Sequence, residues 1–390
     1  MMVKEIILFC YGDSTNISTW SNIPYLLGKT LEKKTITVHR VNLAPPYVFE
    51  FLWNKIILNI LRFFFKGIQY EASRSLIVRF LANAKIKQSV KKYNADLCIF
   101  TSFSFYNKYN DIPSLLLCDW SYETLIKERL KRKPYILESI FINKEQSALK
   151  NADLIISLFP EAKDSIKKQI PQSNVQWANF NVVNTVYEGS IDSDELILNK
   201  YNSNKILFIG KKHYIKGAEL LIKSFLVLKQ KYPKLELHIV GLEKNDIKGL
   251  FGNELNDIFF YGFLHKERDN EKNIYYDLIL SAKIFINPTP IWGGYSSTIE
   301  SMYYYTPVIL SPYKDFVKEF GEDIDFGIYN NTFSENDLVE NISKILELDE
   351  SNYRSISKRA HDVVKDYTWD NYVDWMIKEF AFVKHVGNKL

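Results

Sequence analysis

Cysteine is scarce in this chain of 390 residues. The three present, Cys10, Cys98 and Cys118, each lie in an apolar strand-like run, and none has paired spacing. That excludes a disulfide framework and a cysteine-held metal, and fits the reduced, buried thiols of a cytoplasmic protein. Histidine is sparse too: six residues, scattered, with no pair spaced for zinc. Charge of one sign is missing, since 50 basic residues stand against 46 acidic ones. A net charge of +4 is too balanced for a nucleic-acid partner. Low-complexity tracts and short repeats are absent as well, which excludes a solenoid. The longest apolar stretch, Val48 to Gly67, is broken by Glu50, Lys55, Arg62 and Lys66, so it does not span a bilayer.

What the chain has is apolar and aromatic content, 46% and 15%, ample for two packed cores. Short apolar runs alternate with helical patterns in the first half. Strands are expected at Glu5 to Tyr11, Thr35 to Val41, Leu97 to Phe100, Ser114 to Cys118 and Leu154 to Ser157. Because the run from Ile6 to Cys10 already reads as a core strand, no leader peptide is expected before it. The pattern restarts with strands at Lys205 to Ile209, Leu235 to Val240, Ile258 to Tyr261, Ile284 to Asn287 and Val308 to Leu310. Such alternation predicts an α/β protein with parallel sheets covered by helices. Two Rossmann-like, doubly wound domains are expected, residues 1–188 and 189–368, with the last helix, 369–390, packing back on the first.

Val48 to Gly67 supports two readings. If helical, Glu50, Asn54, Asn59, Arg62 and Lys66 form a narrow polar stripe on an otherwise apolar cylinder. One reading is a buried core helix. The other is a helix in a membrane interface, with Trp53 and Phe63 to Phe65 dipped and Lys55, Arg62 and Lys66 on headgroups. The basic run Lys127 to Lys133 reads as a solvated helix face.

The chemistry concentrates at strand ends. Gly210-Lys211-Lys212-His213-Tyr214-Ile215-Lys216-Gly217 joins a strand to a helix. Its cations beside a helix N-terminus suit a diphosphate, although an ordinary basic loop has the same composition. Gly241 and Gly262 also end strands, which permits close approach of backbone to a ligand. A further segment runs from a strand through Gly293, Gly294, Tyr295, Ser296 and Ser297 into a helix carrying Glu300 in its first turn. Ser297 to Glu300 fits a capping box; the surrounding turn, hydroxyls and acid equally suit a nucleotide site. In the first half, Gly12 follows the first strand. Asp119 ends another, as a catalytic base, an acceptor contact or a helix N-cap. The triplets Asp192-Ser193-Asp194 and Asp323-Ile324-Asp325 lack strand-end context and are assigned no metal.

On these residues the second half resembles the nucleotide-binding domain of GT-B-fold glycosyltransferases, specifically the retaining family four. Gly210-Lys211 and Lys216-Gly217 stand at the spacing of that family's Gly-Arg and Lys-Gly. Tyr367-Thr368-Trp369 is similar to the entry of its last helix. The resemblance implies that Lys211 and Lys216 hold the donor diphosphate and that the strand end at Phe263 and Leu264 contacts the base. It further implies that Glu300, the second signature glutamate, binds the ribose. The first signature glutamate falls on Trp292, a departure that leaves the sugar open.

The expected activity is sugar transfer from a nucleotide-diphosphate donor to a glycan or lipid-linked hydroxyl. No cofactor or metal is expected, and contact with the inner membrane surface is a further expectation. Two alternatives remain: a catalytically silent nucleotide-sugar-binding partner and a sugar-nucleotide epimerase.

Overall fold

The computed structural model describes residues 3–251, 256–290 and 294–387. Among the described residues, twelve strands form two six-stranded sheets. The first contains β1 (Glu5–Cys10), β2 (Thr37–Asn42), β3 (Leu97–Phe100), β4 (Ser114–Cys118), β5 (Leu154–Ser157) and β6 (Val175–Gln176). The second contains β7 (Lys205–Ile209), β8 (Glu236–Val240), β9 (Ile258–Phe260), β10 (Ile284–Asn287), β11 (Val308–Leu310) and β12 (Gly327–Tyr329). Their spatial orders are β2-β1-β3-β4-β5-β6 and β12-β11-β10-β7-β8-β9. Every pairing is parallel, as in the register Ile206↔Leu237 and Ile206↔Ile284 around β7.

Parallel strands covered on both faces read as unbroken apolar runs rather than alternating ones. Leu97–Phe100, Leu154–Ser157 and Ile284–Asn287 are buried at every position. Each sheet's order reverses once, between β1 and β3 and between β7 and β10. At such points the outgoing loops diverge and leave a crevice at the carboxyl edge.

The chain divides into two compact units, Met1–Asn181 with Trp369–Leu390, and Val182–Thr368. The helix Trp369–Gly387 therefore returns to the first unit, where Asp370 pairs with Lys33 at 2.9 Å. The second core gathers Phe208, Leu221, Phe225, Ile239 and Ile286 around the sheet.

The segment from Tyr47 is helical through Leu52, passes a π-helical turn at Trp53–Ile57 and continues over Leu58–Phe64. It is not a buried core helix: of its side chains only Leu58 is buried. Of its polar stripe, Glu50 and Asn54 turn toward the protein, while Asn59, Arg62 and Lys66 are exposed. Glu50 accepts a hydrogen bond from Tyr11 Oη (3.2 Å), and Asn54 accepts one from the Ala72 amide (3.1 Å).

Candidate functional site

The candidate site grows from the β7/β10 crevice of the second unit. β7 ends at Gly210, whose amide donates to the Val240 carbonyl at 2.9 Å. Gly241, at φ +94, faces it so closely that an added Cβ would lie 2.6 Å from the Gly210 carbonyl oxygen. The Gly241 amide in turn donates to the Gly262 carbonyl at 2.6 Å. The three strand ends thus form a continuous ledge of bare backbone, a surface on which a ligand can approach the main chain.

Beyond Gly210 the chain makes one 3-10 turn, Lys212–Tyr214, and enters the helix Ile215–Lys231. Lys216 and Gly217 therefore belong to that helix's first turn, not to the loop. A Cβ at Gly217 would overlap the Thr289 hydroxyl and lie 2.9 Å from the Thr289 amide nitrogen. The helix N-terminus is thereby pressed against the chain leaving β10. Tyr214 Oη reaches the Gly294 carbonyl at 3.4 Å, from the same loop to the other side of the crevice.

The cations are not equivalent. Lys212 is paired with Asp246 at 2.6 Å. Lys211 and Lys216 are exposed and, among the described residues, neither is paired with a carboxylate. Lys211 Nζ instead lies 4.9 Å from the ring centre of Phe263, itself half exposed. This cation–π contact leaves the ammonium hydrogens available for an anion. Leu264 follows Phe263 on the same loop and is partly buried.

The helix expected to carry Glu300 spans Ser296–Tyr303. Gly293 and Trp292 lie outside the described residues; Gly294 is exposed, and Ser297 is partly buried. Tyr295 takes the N-cap position without a side-chain cap bond. Its ring is buried against Phe316, and its hydroxyl donates to Glu319 at 2.5 Å, so the side chain points into the core. The Ser296 hydroxyl accepts from Asn184 Nδ2 at 3.1 Å.

Glu300 is neither in the first turn nor a capping-box acid. Its carboxylate is buried and faces four donor contacts. Lys266 Nζ reaches Oε1 at 3.0 Å and Oε2 at 3.1 Å; Tyr275 Oη donates to Oε2 at 2.8 Å and Tyr276 Oη to Oε1 at 3.2 Å. Burial, and then the Glu300 charge, push both tyrosine hydroxyls far above their ordinary pKa, so they remain donors. A carboxylate offers about four lone-pair sites, all of them used here, so a ribose hydroxyl has to exchange with one of these donors. Lys266, Tyr275 and Tyr276 escape sequence reasoning because they lie 24 to 34 residues before Glu300. The adjacent tyrosine pair is the one signal available. Lys266 sits on the loop that carries Phe263, so one short segment touches both Lys211 and Glu300.

Gly12 and Asp119 belong to the first unit. The Gly12 amide donates to Asn42 Oδ1 at 3.1 Å. Asp119 is not an N-cap: Ser121 takes that place, accepting from the Thr124 amide. Asp119 Oδ1 accepts from the Trp120 amide at 2.8 Å and from the Cys118 thiol at 3.2 Å. Burial raises its pKa, against those hydrogen bonds. Three aspartates of the Asp-x-Asp triplets make capping or ion-pair contacts. Asp192 caps the helix Ser193–Tyr201, Asp194 pairs with Arg354 at 2.5 Å, and Asp325 pairs with Arg359 at 2.8 Å.

Comparison with known proteins identifies the scaffold. Residues 192–363 match the family described as Glycosyl transferases group 1. No curated protein matches the chain by sequence. Among solved structures, the sucrose-phosphate synthase of Thermosynechococcus elongatus superposes with TM-score 0.71 at 16% identity, over 98% of this chain and 100% of that one. WaaG, a glycosyltransferase involved in lipopolysaccharide biosynthesis, gives 0.62 at 12% identity, over 92% and 95%. An S. aureus TarM variant in complex with fondaparinux, alpha-GlcNAc-glycerol and UDP gives 0.56 at 15% identity, over 77% and 59%. The architecture in common is GT-B.

Proposed function

We propose that this chain, whose residues 192–363 match the Glycosyl transferases group 1 family and whose fold is GT-B, is a glycosyltransferase. It moves a sugar from a nucleotide-diphosphate donor to a hydroxyl of a glycan or lipid-linked acceptor, with retention and without a divalent metal. The observation carrying this reading is the backbone ledge at Gly210, Gly241 and Gly262, bordered by Lys211 and Lys216. As the bond from the sugar to the diphosphate lengthens, charge grows on the leaving oxygen. Two ammonium groups and aligned amides held in place beforehand stabilise that charge without reorganising. Phe263 and Leu264 supply an apolar edge for the base. Glu300 takes the ribose hydroxyls by exchange with Lys266 or a tyrosine, which fixes the donor's orientation.

In this reading Asp119 serves the acceptor hydroxyl, since a carboxyl raised by burial is a better proton acceptor at neutral pH than an ordinary one. The bound UDP of the TarM variant supports a nucleoside diphosphate as the retained product. A second reading, a nucleotide-sugar-binding protein without turnover, draws support from Trp292 at the first signature position and from the filled acceptor sites of Glu300.

The test is a thermal-shift panel of UDP, GDP, dTDP and ADP and their sugars, followed by product analysis with and without EDTA. A nucleotide at a hundredfold its Kd adds about 2.7 kcal/mol, and one base is expected to stand out. If no nucleotide raises the melting temperature, the transfer reading is lost. Binding without any donor cleavage selects the silent reading.

A further inference from the structure

Helices on a protein surface ordinarily turn apolar residues inward and polar ones to water. The Tyr47–Phe64 helical segment buries Leu58 and packs Trp53 and Leu61 inward, but leaves most of its apolar side chains outside. Glu50 and Asn54 face the protein through their bonds to Tyr11 and Ala72, and the Trp53 indole donates inward to the Tyr70 carbonyl at 3.1 Å. Outward stand Val48, Phe51, Ile56, Ile60, Phe63 and Phe64; Phe63 is 84% exposed and Phe64 71%. These six side chains alone leave on the order of 600 Å² of apolar surface, already the upper end of what a monomer's largest patch shows. Asn54 is bonded to Ala72 in the turn Ala72–Arg74, which leads into the helix Leu76–Lys92, whose Leu76, Ile77 and Phe80 are also exposed.

The charge around this patch selects its occupant. Lys55, Arg62 and Lys66 are exposed on it, whereas Glu50, the only carboxylate between Tyr47 and Gly67, is turned toward Tyr11. At the aromatic tip, Arg132 donates to the Gly67 carbonyl at 2.9 Å and Tyr135 to the Lys66 carbonyl at 3.1 Å. Those bonds bring the exposed Lys131 and Lys133 beside the tip, within a stretch, Lys127 to Lys133, of five bases and one acid. A second copy docked by two-fold symmetry would set these cations against themselves. An anionic bilayer satisfies both the apolar face and its cationic border. Among the described residues no helix is long and apolar enough to cross a membrane. Surface attachment is the geometry that remains.

We propose that this exposed apolar face is a docking surface for anionic lipid, with Phe63 and Phe64 entering the acyl boundary while Lys55, Arg62 and Lys66 lie among the headgroups. The inference deepens the lipid-linked part of the reading above and is independent of the transfer chemistry. It would hold the enzyme where a lipid-linked acceptor is presented.

The test is flotation of the full chain with phosphatidylcholine vesicles, with and without about 30 mol % phosphatidylglycerol. Wild type is expected to float with the anionic vesicles, less so at high salt. Phe63→Ser/Phe64→Ser should bind at least about tenfold more weakly. Lys55→Glu/Arg62→Glu/Lys66→Glu should lose about a hundredfold. Calorimetric UDP titration of the same proteins serves as the control, since these residues belong to the first unit and the candidate donor site is built from the second. Failure of wild type to float, with UDP binding intact, overturns the docking surface alone. Floating without nucleotide binding overturns the transfer reading alone. A wild-type dimer in sedimentation that Phe63→Ser/Phe64→Ser dissociates overturns the lipid assignment in favour of a second copy.

Discussion

Lys266→Met is the substitution that interrogates the second unit most sharply. Lys266 and Glu300 are 13% and 3% exposed and pair at 3.0 Å. The Lys266 ammonium also lies over Tyr275, 4.1 Å from that ring centre. Methionine keeps the stem and its packing but removes the charge. Breaking a buried ion pair from one side costs about 3–5 kcal/mol, because the remaining charge is left without compensation. Tyr275 and Tyr276 still donate to Glu300, which places the expectation toward the lower end. For a unit of this size each kcal/mol shifts the melting temperature by about 2–4 °C, so a fall of roughly 6–12 °C is expected by calorimetry. Adding Glu300→Gln removes the orphaned charge, and the double variant should recover most of the loss, a coupling that a double-mutant cycle measures directly. A fall below about 2 °C, or a double variant no more stable than the single one, refutes the reasoning.

Two further predictions concern separate parts of the chain. Glu145 is buried and accepts from the Tyr122 amide at 2.7 Å, and desolvation pushes its pKa from 4.5 to about 7. A folded-state value above the unfolded one means stability present below pH about 4.5 and lost as pH rises through about 7. Glu145→Gln should therefore remove up to roughly 3 kcal/mol of pH dependence across that window; parallel wild-type and variant unfolding curves from acid to neutral pH would contradict this. Gly217→Ala forces a methyl group onto Thr289 and should cost about 1–3 kcal/mol through overpacking. A denaturant midpoint equal to wild type would show that the helix and the β10 loop are not in close contact.

The sequence revealed the sheets wherever burial on both faces leaves an unbroken apolar run. Leu97–Phe100, Ser114–Cys118 and Leu154–Ser157 occupy the residues that their hydropathy predicts. Val175–Gln176 and Gly327–Tyr329 did not stand out, since two or three residues carry no periodicity. The helical segment after Pro46 was visible, but its orientation was not. A polar stripe is assigned to solvent by default, and only the bonds from Tyr11 and Ala72 show Glu50 and Asn54 turned inward. At Glu300 the local spacing pointed to a capping box. The carboxylate instead takes tertiary contacts with Lys266, Tyr275 and Tyr276, because several donors, one of them charged, outweigh a single backbone amide. Asp119 shows the same limit: of its three readings the N-cap falls away, because Ser121, two residues on, holds that cap.

The central claim is that Lys211 and Lys216 grip the diphosphate. Calorimetric titration of the nucleoside diphosphate selected by the panel, into wild type and into Lys211→Ala/Lys216→Ala, measures it. Both residues are exposed, so the double variant should fold normally. Loss of two charge-assisted contacts should weaken binding by at least about a hundredfold and flatten its salt dependence. An affinity within about threefold of wild type, with the salt dependence unchanged, would contradict the account.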